Sequence, residues 1–395
     1  VSTPSDKPPF IPLSEPLIAG REWEYVKECL DTGWVSSAGR FVERFEADMA
    51  RRLGVAGAVA TASGSAALHV ALLLAGVAPD DEVLVPSLTF IATANAVRFC
   101  GAWPVFMDAE PERCQMDVGK AADFLARECA WSQGAWRNRA SGRRVAAILP
   151  VHLLGHPVDM DPLLELAEKY SLAVVEDATQ GLGALYKGRP VGALGRLGCL
   201  SFNGNKLMTT GGGGMIVGDD ARLIDRARYL TTQARDDAAE YVHQAIGFNY
   251  RLSNVAAAMG CAQLERLDEF LGAKAALAAR YDEALAGVPG LALPRPAPWA
   301  DSAWWLYTIL VDESQYGLTC RELRARLRAA GIESRTFYQP LHLSPAHAGA
   351  QAYHCDTAER LWARALSLPS SVGLAVEDQR RVAGLVSAAA RTKGV

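Results

Sequence analysis

The sequence predicts an α/β fold with a large, mostly parallel sheet, followed by a smaller α+β domain. From about residue 57, short β-like runs alternate with helix-length segments. Several of these runs are almost wholly apolar, as expected where helices cover both faces of a sheet. After about residue 265 the alternation gives way to a long helical stretch, a Pro-rich segment and mixed elements. The expected domain bounds are therefore 1–264 and 265–395. At 395 residues, 50% of them hydrophobic, the chain is long enough to bury more than one core.

Taken in order, the strands expected in the first domain are Ala58–Thr61, Glu82–Pro86, Pro104–Asp108, Val145–Val151, Leu172–Asp177, Cys199–Phe202 and Gly214–Val217. Between them, Ala66–Leu74, Ala92–Cys100, Met160–Tyr170 and Ala221–Leu230 have the length and composition of helices. Ala66–Ala78, with Ala58–Ala62 before it, is apolar enough to suggest a membrane span. Ser63, Gly64, Ser65 and His69 interrupt it, so a buried helix is the better reading. Arg127–Arg144, with Trp131 and Trp136 among polar residues, reads as a long ordered excursion between a helix and a strand, either a surface loop or a contact at a subunit interface or substrate mouth. In the second domain a helix over Leu264–Leu285 precedes Pro289, Pro294, Pro296 and Pro298. A strand Trp304–Val311, a helix Arg321–Ala330, a strand Ile332–Tyr338 and a helix Asp378–Arg391 follow.

A formal net charge of -4 offers no electrostatic footprint for nucleic acid. The eight cysteines include no CxxC pair, which speaks against a zinc site or a disulfide framework and for a reducing compartment. The first ten residues contain no apolar run of the signal-peptide kind, and the expectation is a cytoplasmic protein without a membrane span.

Lys206 carries most of the chemical information. It closes Ser201-Phe202-Asn203-Gly204-Asn205-Lys206, shortly before the four glycines Gly211–Gly214, where a flat cofactor can approach closely. A lysine amine so placed can form a Schiff base with an aldehyde. Upstream, Ala173-Val174-Val175-Glu176-Asp177 is an apolar strand ending in acids, and an Asp at a strand end is the partner a pyridine nitrogen needs. Together they point to pyridoxal phosphate. Thr61-Ala62-Ser63-Gly64-Ser65 ends a strand and opens an apolar helix, placing hydroxyls and free N–H groups where a phosphate can sit.

Other chemistries fit poorly. Gly211–Gly214 leads into a strand rather than a helix, unlike a dinucleotide fingerprint, and Lys206 lacks the following Ser or Thr of a P-loop. His152 and His156 are spaced as metal ligands, but no Glu follows His152, so a structural or pocket-lining role is expected and no metal site. Ser87 and Ser201 lack a nucleophile elbow.

From about Ile11 onward the chain resembles the DegT/StrS-type nucleotide-sugar aminotransferases, pyridoxal-phosphate enzymes of the aspartate-aminotransferase fold (fold type I). The resemblance rests on Asp31-Thr32-Gly33-Trp34-Val35-Ser36-Ser37, Ser63–His69, Pro86–Ala92, Glu176-Asp177-Ala178-Thr179-Gln180, the Lys206 turn and Gly247–Asn254. It implies that Lys206 is the Schiff-base lysine and proton shuttle and that Asp177 holds the pyridine nitrogen protonated. It also implies that Phe90 stacks on the ring, that Gln180 bonds the phenolic oxygen, and that Gly64, Ser65 and Ser201 hold the phosphate. Asn249 would reach the phosphate of the other subunit's cofactor, making a homodimer with shared active sites. Trp34, Ser36, His243, Tyr338 and His342 would line the sugar pocket. L-glutamate would donate the amino group, and a nucleotide-linked keto sugar would accept it.

Of two departures from the family pattern, the first narrows the substrate and the second puts only a local turn contact in doubt. Many relatives carry an acid among the glycines where this chain has Gly212, and an Asp where it has Arg196. With Thr231–Asp237, Tyr241–His243 and the Trp131 excursion, the first departure resembles the branch that aminates C4 of UDP-2-acetamido-4-keto-2,6-dideoxyhexoses in bacillosamine- and legionaminic-type pathways. The runner-up is a GDP-perosamine-type synthase acting on GDP-4-keto-6-deoxymannose. A 3-dehydratase would replace the lysine with histidine, which position 206 does not do. A reading from another class is a silent protein of this fold that only binds a nucleotide sugar.

Overall fold

The structure, a computed structural model, describes residues 9–237 and 239–390. Arg391, the expected last residue of the C-terminal helix, lies outside them. The large sheet contains β1 (Gly57–Thr61), β2 (Glu82–Pro86), β3 (Trp103–Met107), β4 (Val145–Ile148), β5 (Ala173–Asp177), β6 (Leu197–Ser201) and β7 (Gly214–Gly218). Their spatial order is β1-β7-β6-β5-β4-β2-β3, and a two-residue strand, Ala352–Tyr353, extends the β3 edge. β3, β2, β4, β5 and β6 run parallel, whereas β7 is antiparallel to both β6 and β1. The connections dictate this. Helical crossovers join most of the parallel strands, but β6 and β7 are separated only by the turn that carries Lys206, which returns the chain antiparallel. All five residues of β2 and of β7 are buried, in keeping with the apolar sequence of a sheet covered on both faces.

The small domain has its own sheet, in the order Leu291–Ala292, Tyr307–Val311, Ala365–Leu368, Arg335–Thr336. Helices Leu267–Leu285, Cys320–Ala329 and Val376–Ala389 accompany it around a core that includes Tyr281, Tyr307, Ile309, Leu323 and Val382. Ile11 belongs to that same core and bridges to Ile332, so the N-terminal arm packs on the small domain.

Several expected elements change. The Arg127–Arg144 excursion is not a plain loop. Cys129–Ser132 pairs with Ala135–Asn138, with Trp131 opposite Trp136, through a two-residue turn in which Gln133 (φ 51°) and Gly134 (φ 73°) are both left-handed. The helix expected over Leu264–Leu285 begins at Leu267. A separate helix, Asn254–Leu264, precedes it and is buried against two further helices, Glu22–Thr32 and Arg40–Leu53. The strand expected from Trp304 starts at Tyr307, because Trp304 turns the chain with φ 52°. That expected over Ile332–Tyr338 shortens to Arg335–Thr336.

Candidate active site

A cavity of about 430 Å³ opens at the carboxyl ends of the large-sheet strands, where ligands of open α/β sheets bind. Ser63–Ser65 after β1, Phe90 after β2, Asp177 ending β5, Ser201 ending β6 and the Lys206 turn supply most of its wall. The small domain closes the rest with Trp305, Arg335 and Tyr338.

Lys206 projects into this cavity. Burial pushes its ammonium down to about 8 from 10.5; Asp177 opposes the shift and the Arg335 guanidinium adds to it. At that value about a tenth of the amine is unprotonated at neutral pH, so one group can alternate between nucleophile and base. Its Nζ lies 4.2 Å from the centroid of the Trp305 ring.

Asp177 forms the floor and is only 1% exposed. Thr93 Oγ1 donates to its Oδ2 at 2.7 Å and the Thr179 N–H to its Oδ1 at 3.1 Å, which fixes the carboxylate plane. Strand alternation sends the neighbouring Glu176 to the opposite side. There its fully buried carboxylate accepts from His152 Nε2 (2.9 Å) and from the N–H groups of Gly192, Leu194 and Gly195 (2.8, 2.7 and 2.6 Å). Burial opposes its ionisation, but the His152 donor and the backbone N–H groups hold its carboxyl below the usual range. His152 Nδ1 accepts from the Val158 N–H, so the ring is neutral with its proton on Nε2. His156 is likewise neutral: Nδ1 donates to the Pro157 carbonyl, Nε2 accepts from the Ala297 N–H, and burial lowers it to about 4. Both histidines are structural, and among the described residues no cluster with metal-ligand character occurs.

The start of the helix Gly64–Leu74 is built to face an anion. Ser63 caps it, its Oγ accepting from the Ala66 N–H. Among the described residues the N–H groups of Gly64 and Ser65 have no protein acceptor. A Cβ at Gly64 would stand 3.0 Å from Ser201 Cβ and 3.2 Å from Thr179 Cγ2, so a larger residue would have to push these side chains back from the helix start by a few tenths of an ångström. Gln180 Oε1 accepts from the Leu154 N–H, which fixes its amide so that NH₂ is the end left for the cavity. Phe90, half exposed, offers a ring face beside Tyr338 at 5.7 Å. A phosphate cradle, a carboxylate floor, an aromatic face and a lysine of lowered proton affinity match pyridoxal 5′-phosphate group by group.

The expected residues divide cleanly. Gly64, Ser65, Phe90, Asp177, Gln180, Ser201, Lys206 and Tyr338 meet in the cavity. Trp34, Ser36, His243 and Asn249 are exposed and lie outside it. His342 also lies outside, tied to Ser87 Oγ (2.7 Å) and Glu359 Oε1 (3.1 Å). Thr93, Thr179, Trp305, Arg335 and Gly212 line the cavity without having been singled out as site residues. Thr179 stands in the Glu176–Gln180 motif, Gly212 in the glycine run, and Thr93 one helical turn beyond Phe90, whereas Trp305 and Arg335 had no local signal.

The fold and this cavity define a pyridoxal-phosphate enzyme of fold type I. The chain belongs to the DegT/DnrJ/EryC1/StrS aminotransferase family, whose model matches residues 16–387. It is 40% identical over 375 residues to the GDP-perosamine synthase of Caulobacter vibrioides, covering 95% of this chain and 96% of that protein. It is 36% identical to that of Escherichia coli O157:H7, over 93% and 95%. The crystal structure of the aminotransferase TlmJ from Streptoalloteichus hindustanus superposes with a TM-score of 0.86 at 31% identity, covering 96% and 98% of the two chains. The protein is thus a pyridoxal-phosphate-dependent sugar aminotransferase. The UDP-sugar branch favoured by the sequence motifs is not the one these relatives carry in their names.

Proposed function

We infer that this enzyme transfers the amino group of L-glutamate to C4 of a nucleotide-linked 4-keto-6-deoxy sugar, and that the sugar is GDP-4-keto-6-deoxymannose. The observation that carries the reaction is Lys206, held with a lowered proton affinity in one cavity with Asp177 and the helix start at Gly64. The choice of GDP over UDP rests on the names of the two perosamine synthases, each matched over nearly its whole length.

Bound pyridoxal phosphate supplies the electron sink that acidifies the carbon bearing the amino group. The residues do the rest. Asp177, its plane set by Thr93 and Thr179, keeps a proton on the ring nitrogen. The Gly64 and Ser65 N–H groups and the Ser201 hydroxyl hold the phosphate. Lys206 Nζ would be the amine that links to the cofactor's aldehyde and, when free, the group that would carry a proton to and from the reacting carbon. Arg335 is the guanidinium in the wall and offers a partner to an anionic substrate group. Trp34, Ser36, His243 and Asn249, exposed on one chain, are assigned to the cavity of a second copy in a homodimer.

The test is spectroscopic. The purified protein should show the visible absorbance of lysine-linked cofactor, and Lys206→Ala should abolish both that band and amino transfer. A wild-type protein that binds no pyridoxal phosphate would sink the proposal.

A further inference from the structure

Trp305 is absent from the roles assigned so far, yet three parts of the chain converge to hold it. Its indole Nε1 donates to the Asn205 carbonyl at 2.8 Å, one residue before Lys206, and Ser14 Oγ from the N-terminal arm donates to the same carbonyl at 3.1 Å. Its own carbonyl accepts from Lys274 Nζ at 2.8 Å, and Lys274 also donates to the Ser370 carbonyl. Lys274 is 1% exposed, and among the described residues it has no carboxylate partner. From below, Gly155 presses on the loop. A Cβ there would stand 2.8 Å from Trp305 N and 2.9 Å from Trp304 N, while the Gly155 carbonyl accepts from Ala303 N and Ser302 Oγ. The loop includes a left-handed Trp304, a conformation that persists only where its surroundings over-determine it.

The product of this bracing is the placement of one aromatic face. Trp305 is 2% exposed, and its ring stands 4.2 Å from Lys206 Nζ. Indole is the best of the aromatic faces for a cation. Burying a lysine such as Lys274 is expensive unless its ammonium is well bonded, and both of its acceptors are backbone carbonyls.

We propose that Trp305 is the platform on which the Lys206 ammonium rests whenever its amine is free of the cofactor, and that Lys274 is a positioning residue that holds the platform in place. Trp305 thereby opposes the desolvation that draws the proton off Lys206 and keeps the returning amine aimed at the reacting carbon. The proposal rests on the amino-transfer reading only for the event that frees Lys206.

The experiment uses the full-length protein, stripped of cofactor and reloaded, as wild type and as Trp305→Phe, Trp305→Leu and Lys274→Met. The pH dependence of Lys206 labelling by trinitrobenzenesulfonate in the stripped protein, where its amine is free, is read by peptide mass spectrometry and reports its proton affinity without turnover. Single-turnover reaction of the loaded protein with L-glutamate across pH reports the same group at work. Trp305→Leu should lower the labelling midpoint by about half to one pH unit, each unit being tenfold in proton affinity. Its glutamate step should slow several-fold while its cofactor affinity stays within about threefold. Trp305→Phe, which keeps a ring face, should restore most of the midpoint, and Lys274→Met should shift it in the same direction as Trp305→Leu by a smaller amount. A folded Trp305→Leu with an unchanged or raised midpoint overturns the proposal, as does a Trp305→Phe as displaced as Trp305→Leu. Should Trp305→Leu not fold, Lys274→Met decides, and an unshifted midpoint there overturns the proposal. Midpoints that move as expected in a protein that takes no amino group from glutamate would leave the platform standing and remove the donor.

Discussion

Replacing Glu176 by Gln tests how the cofactor floor is built, because that carboxylate anchors the end of β5 from the side opposite Asp177. Its two oxygens collect four donors: His152 Nε2 and Gly192 N on Oε2, Leu194 N and Gly195 N on Oε1. A glutamine keeps a single acceptor oxygen and turns an NH₂ toward the donors on the other side. Two hydrogen bonds to a charged acceptor are lost, at roughly 1.5–3 kcal/mol each. Two buried donors are left facing a third. The expected loss is about 3–6 kcal/mol, the sum of those two bonds. Urea unfolding at pH 7, followed by tryptophan fluorescence and far-UV circular dichroism, measures it.

The pH dependence has a definite sign. The folded carboxyl is held below its ordinary value of 4.5, so its stabilisation is fully present above that value and fades as pH falls through the folded one. The gap between wild type and Glu176→Gln should stay constant from pH 8 to 6 and narrow only below about pH 4.5. A gap under about 1 kcal/mol at pH 7, or one that widens on acidification, would refute the assignment of Glu176 as a charged hub.

Arg335→Met removes a positive neighbour of Lys206, so the lysine's labelling midpoint should rise above about 8 and the alkaline shift should appear in the pH–rate profile; an unmoved midpoint would detach Arg335 from the lysine. Gly64→Ala places a Cβ 3.0 Å from Ser201 Cβ, and cofactor affinity measured by absorbance titration should fall about tenfold or more, roughly 1.4 kcal/mol, with little change in melting temperature. Gly155→Ala combines φ 91° with a 2.8 Å approach to Trp305 N, and should cost about 1–3 kcal/mol in urea unfolding while shifting the near-UV tryptophan dichroism.

Much of the site was legible because its signals are local. β5 announced itself as an apolar run ending in acids, the Lys206 turn by its glycines, and the helix start at Gly64 by its hydroxyl-rich entry. Which of Glu176 and Asp177 faces the cavity depends on sheet register, and register depends on the neighbouring strands. Trp305 and Arg335 were opaque for a different reason: they reach the cavity from the small domain, and no local spacing ties a residue beyond 300 to Lys206. The helix Asn254–Leu264 hid because it is apolar on all sides and shows no 3.6-residue stripe. The Trp131 hairpin hid because Gln-Gly is a weak turn signal beside Asn-Gly.

Substrate choice is the claim most directly open to measurement. Purified enzyme is incubated with L-glutamate and, in separate reactions, GDP-4-keto-6-deoxymannose, UDP-2-acetamido-4-keto-2,6-dideoxyhexose and a dTDP-linked 4-keto-6-deoxy sugar, and 2-oxoglutarate is followed with time. The expected result is turnover that is fastest by far with the GDP sugar and is lost in Lys206→Ala. Faster turnover of the UDP-acetamido sugar would contradict the proposed substrate, and no 2-oxoglutarate with any keto sugar would contradict amino transfer from glutamate itself.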